Sequence, residues 1–459
     1  MRCTSHPSAF SARAVCRLAV GVGLFFAGIA LPILGQAIPT AEASPISTGF
    51  VLPTTSGTLS YSLSASESLS WGFYSNSGQS SGTNVSGNLA YISSGKRNPF
   101  SAVVTGGHSF GFNNQPSYNF VGLGLSQVLS LGRWSFTFAD YASYLPQTPA
   151  NGYAGIPGVG DLNVLGLSGM SLGFIPTSVI APPTQGILTN YANRVDNTVS
   201  GSIQRDFTGK TGMHGSAAYS ISRYLEQTGD PRRDGLDSDG ISASAGVNHM
   251  YSQRNIIGGN FSYATYSFSE IKVGVAAPTF DSKTATLNYT HQFTRRLEGV
   301  VSAGPQWTTI NIGGSTSFLD AFVSASASYS GERISQSVAF VRSTNAGYGV
   351  IGGAVSSSGS YTMSGRYHRV WGISGSASYS RSNSLPSRLL PAYNFNTGVV
   401  SMQVSHALPH NLSAFGSYSL EDQTTGGSVL SVLNAFSGRY QTLGFGITYA
   451  PTPKHFGAQ

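Results

Sequence analysis

Long stretches of strict residue alternation constrain the fold of this chain more than any other feature. Around Arg295 and Arg296, apolar residues such as Leu287, Tyr289 and Val301 alternate with Ser, Thr and Asn. A period of two places successive side chains on opposite faces of a β-strand. The same pattern recurs along most of the chain beyond residue 57. An all-β protein is therefore predicted.

The alternating stretches run about 11 to 14 residues, longer than the usual strand of about five or six. A tilted strand needs about 9 to 11 residues to cross a bilayer. One face of each stretch is apolar and the other is small and polar, which is typical of strands that separate lipid from water. The sequence therefore predicts a transmembrane antiparallel β-barrel.

Charge is scarce. Only 9% of the residues are Asp, Glu, Lys or Arg, against about 25% in soluble domains. The net charge is +7, but Lys and Arg stand singly or in pairs and form no basic stripe. The sequence therefore does not indicate nucleic-acid binding.

Both cysteines, Cys3 and Cys16, lie at the N-terminus. A chain trimmed beyond them could form neither a disulfide nor a thiolate metal site.

The first 43 residues have the pattern of a secretory signal. Arginines precede an apolar run from Leu18 to Leu34, and small residues allow cleavage after Ala37 or Ala43. A transmembrane anchor is the alternative, but Pro32 breaks the end of a run of nearly minimal length. After the signal, the sequence predicts an N-terminal linker at 44–57, a barrel at 58–451 and a C-terminal tail at 452–459.

Connections between the alternating stretches are short and long in turn. The short, mostly basic turns are predicted at 94–99, 130–133, 207–210, 251–254, 293–296, 330–333, 366–369 and 407–411. The longer loops are predicted at 71–83, 112–118, 146–193, 227–237, 269–279, 309–315, 343–354, 384–392 and 422–437. Together they predict about 18 strands, within a range of 16 to 20. An even number places both termini on one side, predicted to be the periplasm.

Two other β architectures fit the pattern less well. A propeller blade divides about 40 residues among four short strands, whereas two long strands fill that length here. A TonB-dependent transporter has a large plug domain before its barrel, for which residues 44–57 leave no room.

Aromatic residues and a few charges mark candidate functional positions. Two aromatic girdles at the membrane interfaces are predicted from Trp71, Trp134, Trp307, Trp371, Tyr289, Tyr329 and Tyr449. Candidate charges facing the lumen are Asp196, Glu298, Asp320, Arg366 and Glu421. Loop 146–193 is long and apolar, and we expect it either to narrow the pore, with Asp161 as its sole charge before Arg194, or to pack over the mouth or against a partner.

Catalytic and metal chemistry finds little support. His249, His291, His368 and His406 lie near short turns, but their alternation does not bring them to one face, and interfacial side chains are the favoured interpretation. Serines abound, yet no GxSxG elbow occurs in a strand-to-helix setting, and no glycine pattern leads into a phosphate-binding Lys-Ser or Lys-Thr. The prediction is a protein that is not an enzyme and has no cofactor. An outer-membrane hydrolase remains the rival.

The chain resembles Gram-negative outer-membrane β-barrels of the porin-like type over about residues 58–451. Its last strand, TLGFGITY, resembles their C-terminal insertion signal, with Thr442, Gly444, Ile447 and Tyr449 in the matching places. The resemblance implies an outer-membrane location, contact with lipid and insertion by the barrel-assembly machinery through that strand. It also implies passive passage of small polar solutes. Assistance in exporting an envelope polymer and a structural role are the alternatives, while substrate, direction and oligomeric state stay open.

Overall fold

The computed structural model describes most of the predicted barrel but none of the predicted signal. It describes residues 57–72, 79–93, 98–112, 117–146, 193–225, 237–269, 278–311, 314–345, 353–368, 370–385, 393–427 and 437–456. The predicted signal at 1–43 and nearly all of the predicted loop 146–193 lie outside these ranges. Among the described residues, no helix is long and apolar enough to cross a membrane.

Eighteen long strands and one short strand account for nearly all described residues. The long strands are β1 (Gly57–Gly72), β2 (Ser80–Ser93), β3 (Phe100–Phe112), β4 (Tyr118–Leu131), β5 (Trp134–Pro146), β6 (Asn193–Asp206), β7 (Thr211–Tyr224), β8 (Ser238–Ser252), β9 (Asn255–Phe268), β10 (Thr279–Thr294), β11 (Leu297–Asn311), β12 (Ser315–Ser330), β13 (Ile334–Asn345), β14 (Ala354–Tyr367), β15 (Trp371–Ser384), β16 (Tyr393–Leu408), β17 (Leu412–Gly427) and β18 (Gly438–Tyr449). The short strand is β19 (Lys454–Phe456).

The eighteen long strands form one closed antiparallel barrel. Each pairs with the next along the chain, and β18 pairs with β1 from Leu63 opposite Tyr449 to Gly72 opposite Tyr440. Closure gives each long strand a neighbour on both sides, as a strand in lipid requires for its backbone polar groups. The predicted fold class and the count of 18 strands are confirmed.

Short connections and long connections alternate around the barrel, so its two rims differ. β4 and β5 are joined by Gly132 and Arg133 alone, with Leu131 opposite Trp134. Gly132 has a φ of 67°, a conformation that glycine adopts without a steric penalty and that tight hairpins require. We call this rim the short-turn rim and the opposite one the long-loop rim.

Alternation along the strands separates an outer face from an inner face. Large apolar side chains are exposed on the outer face, among them Leu287 at 73%, Leu319 at 64% and Phe445 at 56%. Their sequence neighbours on the inner face are mostly Ser, Thr, Asn and Gln, and many are buried, including Ser70, Asn84 and Thr308. An apolar exterior around a polar interior is the architecture of Gram-negative outer-membrane barrels.

The segment predicted as a C-terminal tail contains a further strand. β19 pairs antiparallel with the beginning of β1, from Gly57 opposite Phe456 to Leu59 opposite Lys454. The Thr58 hydroxyl and His455 Nδ1 lie 3.0 Å apart, within hydrogen-bond distance. β19 thus extends the pairing of β1 beyond the end of β18 at the short-turn rim.

Candidate functional site: the barrel lumen

Hydroxyl groups cover much of the inner wall. They form cross-strand pairs between the inner faces of neighbouring strands, at about the distance of an ordinary O–H···O hydrogen bond. Such pairs include Ser216–Ser244 at 2.7 Å, Ser376–Ser401 at 2.7 Å, Ser337–Thr362 at 2.7 Å and Ser335–Ser364 at 2.8 Å. The wall is therefore polar but largely uncharged.

The predicted lumen charges lie at different heights on the inner face. Asp196 accepts a 2.6 Å hydrogen bond from Arg194 Nε, two residues earlier on β6. Glu298 and Arg366 are exposed and lie near the short-turn rim. Only Glu421 is fully buried among these five predicted residues, at 1% exposure. The structure therefore does not bring them together in one cluster.

The barrel wall is irregular between β12 and β13. Their pairing runs from Ser330 opposite Ser335 only as far as Val323 opposite Arg342. Beyond that point β12 continues to Ser315 and pairs only with β11, while β13 continues to Asn345 beside β14. Toward the long-loop rim, the two strands have separated.

Hydrogen bonds show where the end of β13 goes. The side-chain amide of Gln306, on the inner face of β11, donates from Nε2 to the Thr344 carbonyl at 2.7 Å. Gln306 Oε1 accepts the Thr344 backbone N–H at 2.8 Å, so the amide bonds to β13 as a neighbouring backbone would. Because β12 lies between β11 and β13 in the wall, this contact requires the end of β13 to fold inward over β12.

An ion pair bridges the point of separation. Arg342, the last β13 residue paired with β12, places Nη2 3.2 Å from Asp320 Oδ1 on the inner face of β12. In the alternation of β13, Arg342 shares the outer face with Val338 and Phe340. Beyond Arg342, the outer face of β13 is thus turned toward the inner face of β12.

The long-loop ends of β13 and β14, which we call the inturned hairpin, fold over a cluster of apolar side chains. The buried cluster consists of Phe268, Phe280, Ile310 and Leu385, with Tyr266, Phe318 and Val355 packed against it. Phe280 and Ile310 come from the inner wall, whereas Val355 comes from β14 and Leu385 follows β15.

Gly353 permits this close packing. Its φ is 93°, and a Cβ atom there would lie 2.9 Å from Ile310 Cδ1 and 3.1 Å from Leu385 Cδ1. Both the backbone conformation and the contact distance exclude a larger side chain without displacement of its neighbours. The inturned hairpin therefore occupies part of the lumen and narrows it toward the long-loop rim.

The predicted girdle residues lie on the outer face near the two rims. Trp134, Trp371, Tyr289, Tyr329 and Tyr449 lie toward the short turns, and Trp71 and Trp307 lie toward the long loops. Trp371 contacts His406 edge-on with ring centroids 4.4 Å apart.

The histidines near the short turns have separate partners. His291 Nδ1 lies 2.6 Å from Asn255 Oδ1, and His249 Nδ1 lies 2.8 Å from the Thr211 hydroxyl. In the part of the chain that the structure describes, no three metal-ligating side chains come together. Asp161 of the predicted constriction loop lies outside the described residues.

The inturned hairpin is the feature that the sequence analysis missed. Its segments alternate like the rest of the wall, so residues 343–354 read as an ordinary loop between two strands. Arg342 carried a usable signal, because it is a charged residue in an apolar outward row. Arg194, the partner of Asp196, was missed for a simpler reason, since it lies at the predicted edge of a loop.

Comparisons with known proteins find similarity only among solved structures. No protein-family model matches the chain, and no curated protein matches it. OpdQ of Pseudomonas aeruginosa aligns at 10% identity and a TM-score of 0.40, over 86% of this chain and 99% of OpdQ. The FrpB iron transporter of Neisseria meningitidis (F3-3 variant) aligns at 8% and 0.42, over 84% of this chain and 66% of FrpB.

A third similar structure is OccK2 (OpdF) of Pseudomonas aeruginosa in complex with glucuronate. It aligns at 11% identity and a TM-score of 0.41, over 85% of this chain and 97% of OccK2. Scores at this level support no inference about function, which is therefore drawn from the residues of this chain.

Proposed function

We propose that this protein is an outer-membrane channel for the passive passage of small polar solutes. The observation that carries the proposal is the division of one closed barrel into an apolar outer face and a hydroxyl-lined inner face. An apolar exterior suits lipid, and a polar interior of a barrel this wide suits a path for water and solutes.

Polar residues at the two ends of the outward row of β10 support a membrane belt on the outer face. On β10, the outward row from Lys283 to His291 contains Leu287 and Tyr289. Eight residue steps at about 3.3 Å each give roughly 26 Å along the strand. Because strands in outer-membrane barrels tilt by roughly 40°, this length corresponds to about 20 Å across the membrane. The nine residues from Lys283 to His291 match the lower end of the roughly 9 to 11 that a tilted strand needs to cross a bilayer.

The inner wall supports weak selection by size and hydrogen bonding. Hydroxyls can both donate and accept hydrogen bonds, and a largely neutral wall exerts little electrostatic force along most of its surface. The inturned hairpin narrows the lumen and would limit solute size near the long-loop rim. A polar solute of small cross-section is the ligand class that these features favour.

Single-channel recording of the purified, folded protein in a planar bilayer tests the proposal. Discrete conductance steps in KCl, reduced by neutral polar solutes of increasing size, are the expected result. Correctly folded protein that inserts and yet conducts no ions would contradict a channel function. Heat-modifiable migration in electrophoresis supplies the control for folding.

A further inference from the structure

Glu421 has a buried carboxyl group to which no described residue is hydrogen-bonded. It lies on the inner face of β17, with Ser419 and Gln423 on the same face. Its exposure is 1%, and in the part of the chain that the structure describes neither Oε1 nor Oε2 has a hydrogen-bond partner. An isolated carboxylate that has lost its water is one of the most costly groups a protein can bury.

The polar groups nearest to Glu421 in the wall make other contacts. In the register of the sheet, Val399 of β16 and Tyr440 of β18 lie opposite Glu421. The Thr397 hydroxyl donates to Gln423 Oε1 at 3.4 Å, and the Ser70 and Thr442 hydroxyls lie 3.2 Å apart. Several hydroxyl and amide groups thus surround a carboxylate to which none of them is bonded.

No nearby cation in the described ranges stabilises the ionised form of Glu421 either. Arg439 of β18 points to the outer face, where Nη2 lies 3.6 Å from Asp422 Oδ2. Arg194 and Arg342 pair with Asp196 and Asp320. Among the described residues, Arg194 and Arg342 therefore bind other acids, Arg439 faces the opposite side of the wall, and the inward-facing Arg366 lies far away near the short-turn rim.

We propose that the inner wall around Glu421 binds the positively charged group of a permeating solute, with an N–H-bearing ammonium group as the preferred ligand. An ammonium group brings both the countercharge that the carboxylate lacks and up to three N–H donors. For the solute to bind, the Glu421 side chain, which is 1% exposed in this structure, turns from the wall into the lumen. Two donors then meet its two oxygens, and a third meets a neighbouring hydroxyl or amide oxygen. Charge-assisted hydrogen bonds of this kind are about twice as strong as neutral ones.

This inference rests on the proposed function and adds a substrate preference to it. The Glu421 site is a charged position at a single height in an otherwise largely neutral lumen, near the long-loop ends of β16, β17 and β18. A carboxylate at that height favours cations over anions in transit. Ammonium-bearing solutes would be retained longer than potassium, because potassium offers no hydrogen-bond donor.

Neighbouring residues of β17 provide a matched pair of variants. Glu421→Gln removes the lumen-facing charge, and Asp422→Asn removes a charge from the outer face one residue away. We expect a wild-type channel that prefers K⁺ over Cl⁻ in a KCl gradient. The permeability ratio should fall about fivefold in Glu421→Gln, the order expected when a single wall charge is removed from a partly hydrated pore, and it should be unchanged in Asp422→Asn.

A second measurement separates binding from conduction. Methylammonium chloride should raise the unfolding temperature of the detergent-solubilised wild-type barrel, and tetramethylammonium chloride at equal concentration should not, because its nitrogen carries no hydrogen. The difference should disappear in Glu421→Gln and persist in Asp422→Asn.

The outcomes distinguish this inference from the proposed function. A conducting barrel whose ion selectivity is equal in wild type and Glu421→Gln overturns the cation site and leaves the channel standing. Stabilisation by methylammonium in a barrel that never conducts upholds the site and removes the channel. Equal effects of both variants would show that the site does not depend on Glu421.

Discussion

Neighbouring residues of one strand lie in different environments at the scale of single side chains. Leu287 of β10 is 73% exposed on the outer face. Asn288, the next residue, faces inward and accepts hydrogen bonds from the Ser302 and Thr286 hydroxyls. The same substitution should therefore have unequal consequences at these two positions.

Introducing arginine at each position tests this assignment. Leu287→Arg should lower the free energy of unfolding by roughly 2 to 4 kcal/mol, because it places a charge in the middle of the lipid-facing row. Asn288→Arg loses hydrogen bonds worth about 1 kcal/mol but keeps its charge in the lumen. Urea unfolding in lipid vesicles measures both values, and equal losses would contradict the assignment of the two faces.

At the scale of elements, contacts with the inner wall hold the inturned hairpin in place independently of barrel closure. Its polar contacts with the wall are the Gln306 amide on Thr344 and the Arg342–Asp320 ion pair. Its apolar contact is the cluster around Phe280 and Ile310. Removing one of these contacts should loosen the hairpin without opening the barrel, because β12 and β13 still pair near the short turns.

Gln306→Ala should raise single-channel conductance. The substitution leaves the Thr344 N–H and carbonyl without their partner, at a cost of about 1 to 3 kcal/mol for each buried group left unsatisfied. Gln403→Ala on the inner face of β16, nearer the short turns, is the matched control. Unchanged conductance in a folded Gln306→Ala barrel would show that the hairpin does not limit the pore.

Loop 146–193 provides a second prediction at this scale. Its length and apolar composition predict a segment that narrows the pore. Replacing residues 152–188 with a short Gly/Ser linker should raise the conductance severalfold while heat-modifiable folding is retained. A folded deletion variant with wild-type conductance would assign the pore width to the wall and the inturned hairpin.

At the scale of the whole molecule, the two rims differ in their connections and charges. Ion pairs on the outer face lie toward the long-loop rim, at Arg223–Asp239 and Arg439–Asp422. The short-turn rim carries basic turns, one of which includes Arg296 paired with Glu332 at 2.6 Å. By analogy with bacterial barrels, we expect the short turns to face the periplasm.

Cysteine labelling on intact cells tests this orientation. Ser315→Cys places an exposed thiol at the long-loop rim, and Gln253→Cys places one in a short turn. An impermeant thiol reagent should modify the first variant and not the second until the outer membrane is opened. The reverse pattern would invert the proposed topology.

The sequence by itself determined the barrel, a strand number of about 18 within two, and the two faces of each strand. These properties follow from local alternation and from turns such as Gly132-Arg133, since a period of two decides which way each side chain points. Glu421 could likewise be assigned to the inner row from its neighbours in β17. Its lack of a partner could not be predicted, because that depends on what adjacent strands place around it.

Only the tertiary structure decided where regular pairing stops. The alternation of β13 is the same whether its end pairs with β12 or folds inward, so local pattern does not distinguish the two arrangements. The decision depends on contacts between distant residues, such as Gln306 with Thr344 and Ile310 with Leu385. The pairing of β19 with β1 has the same cause, because it joins residues from opposite ends of the described chain. Such contacts depend on how the closed barrel packs, which a residue period cannot encode.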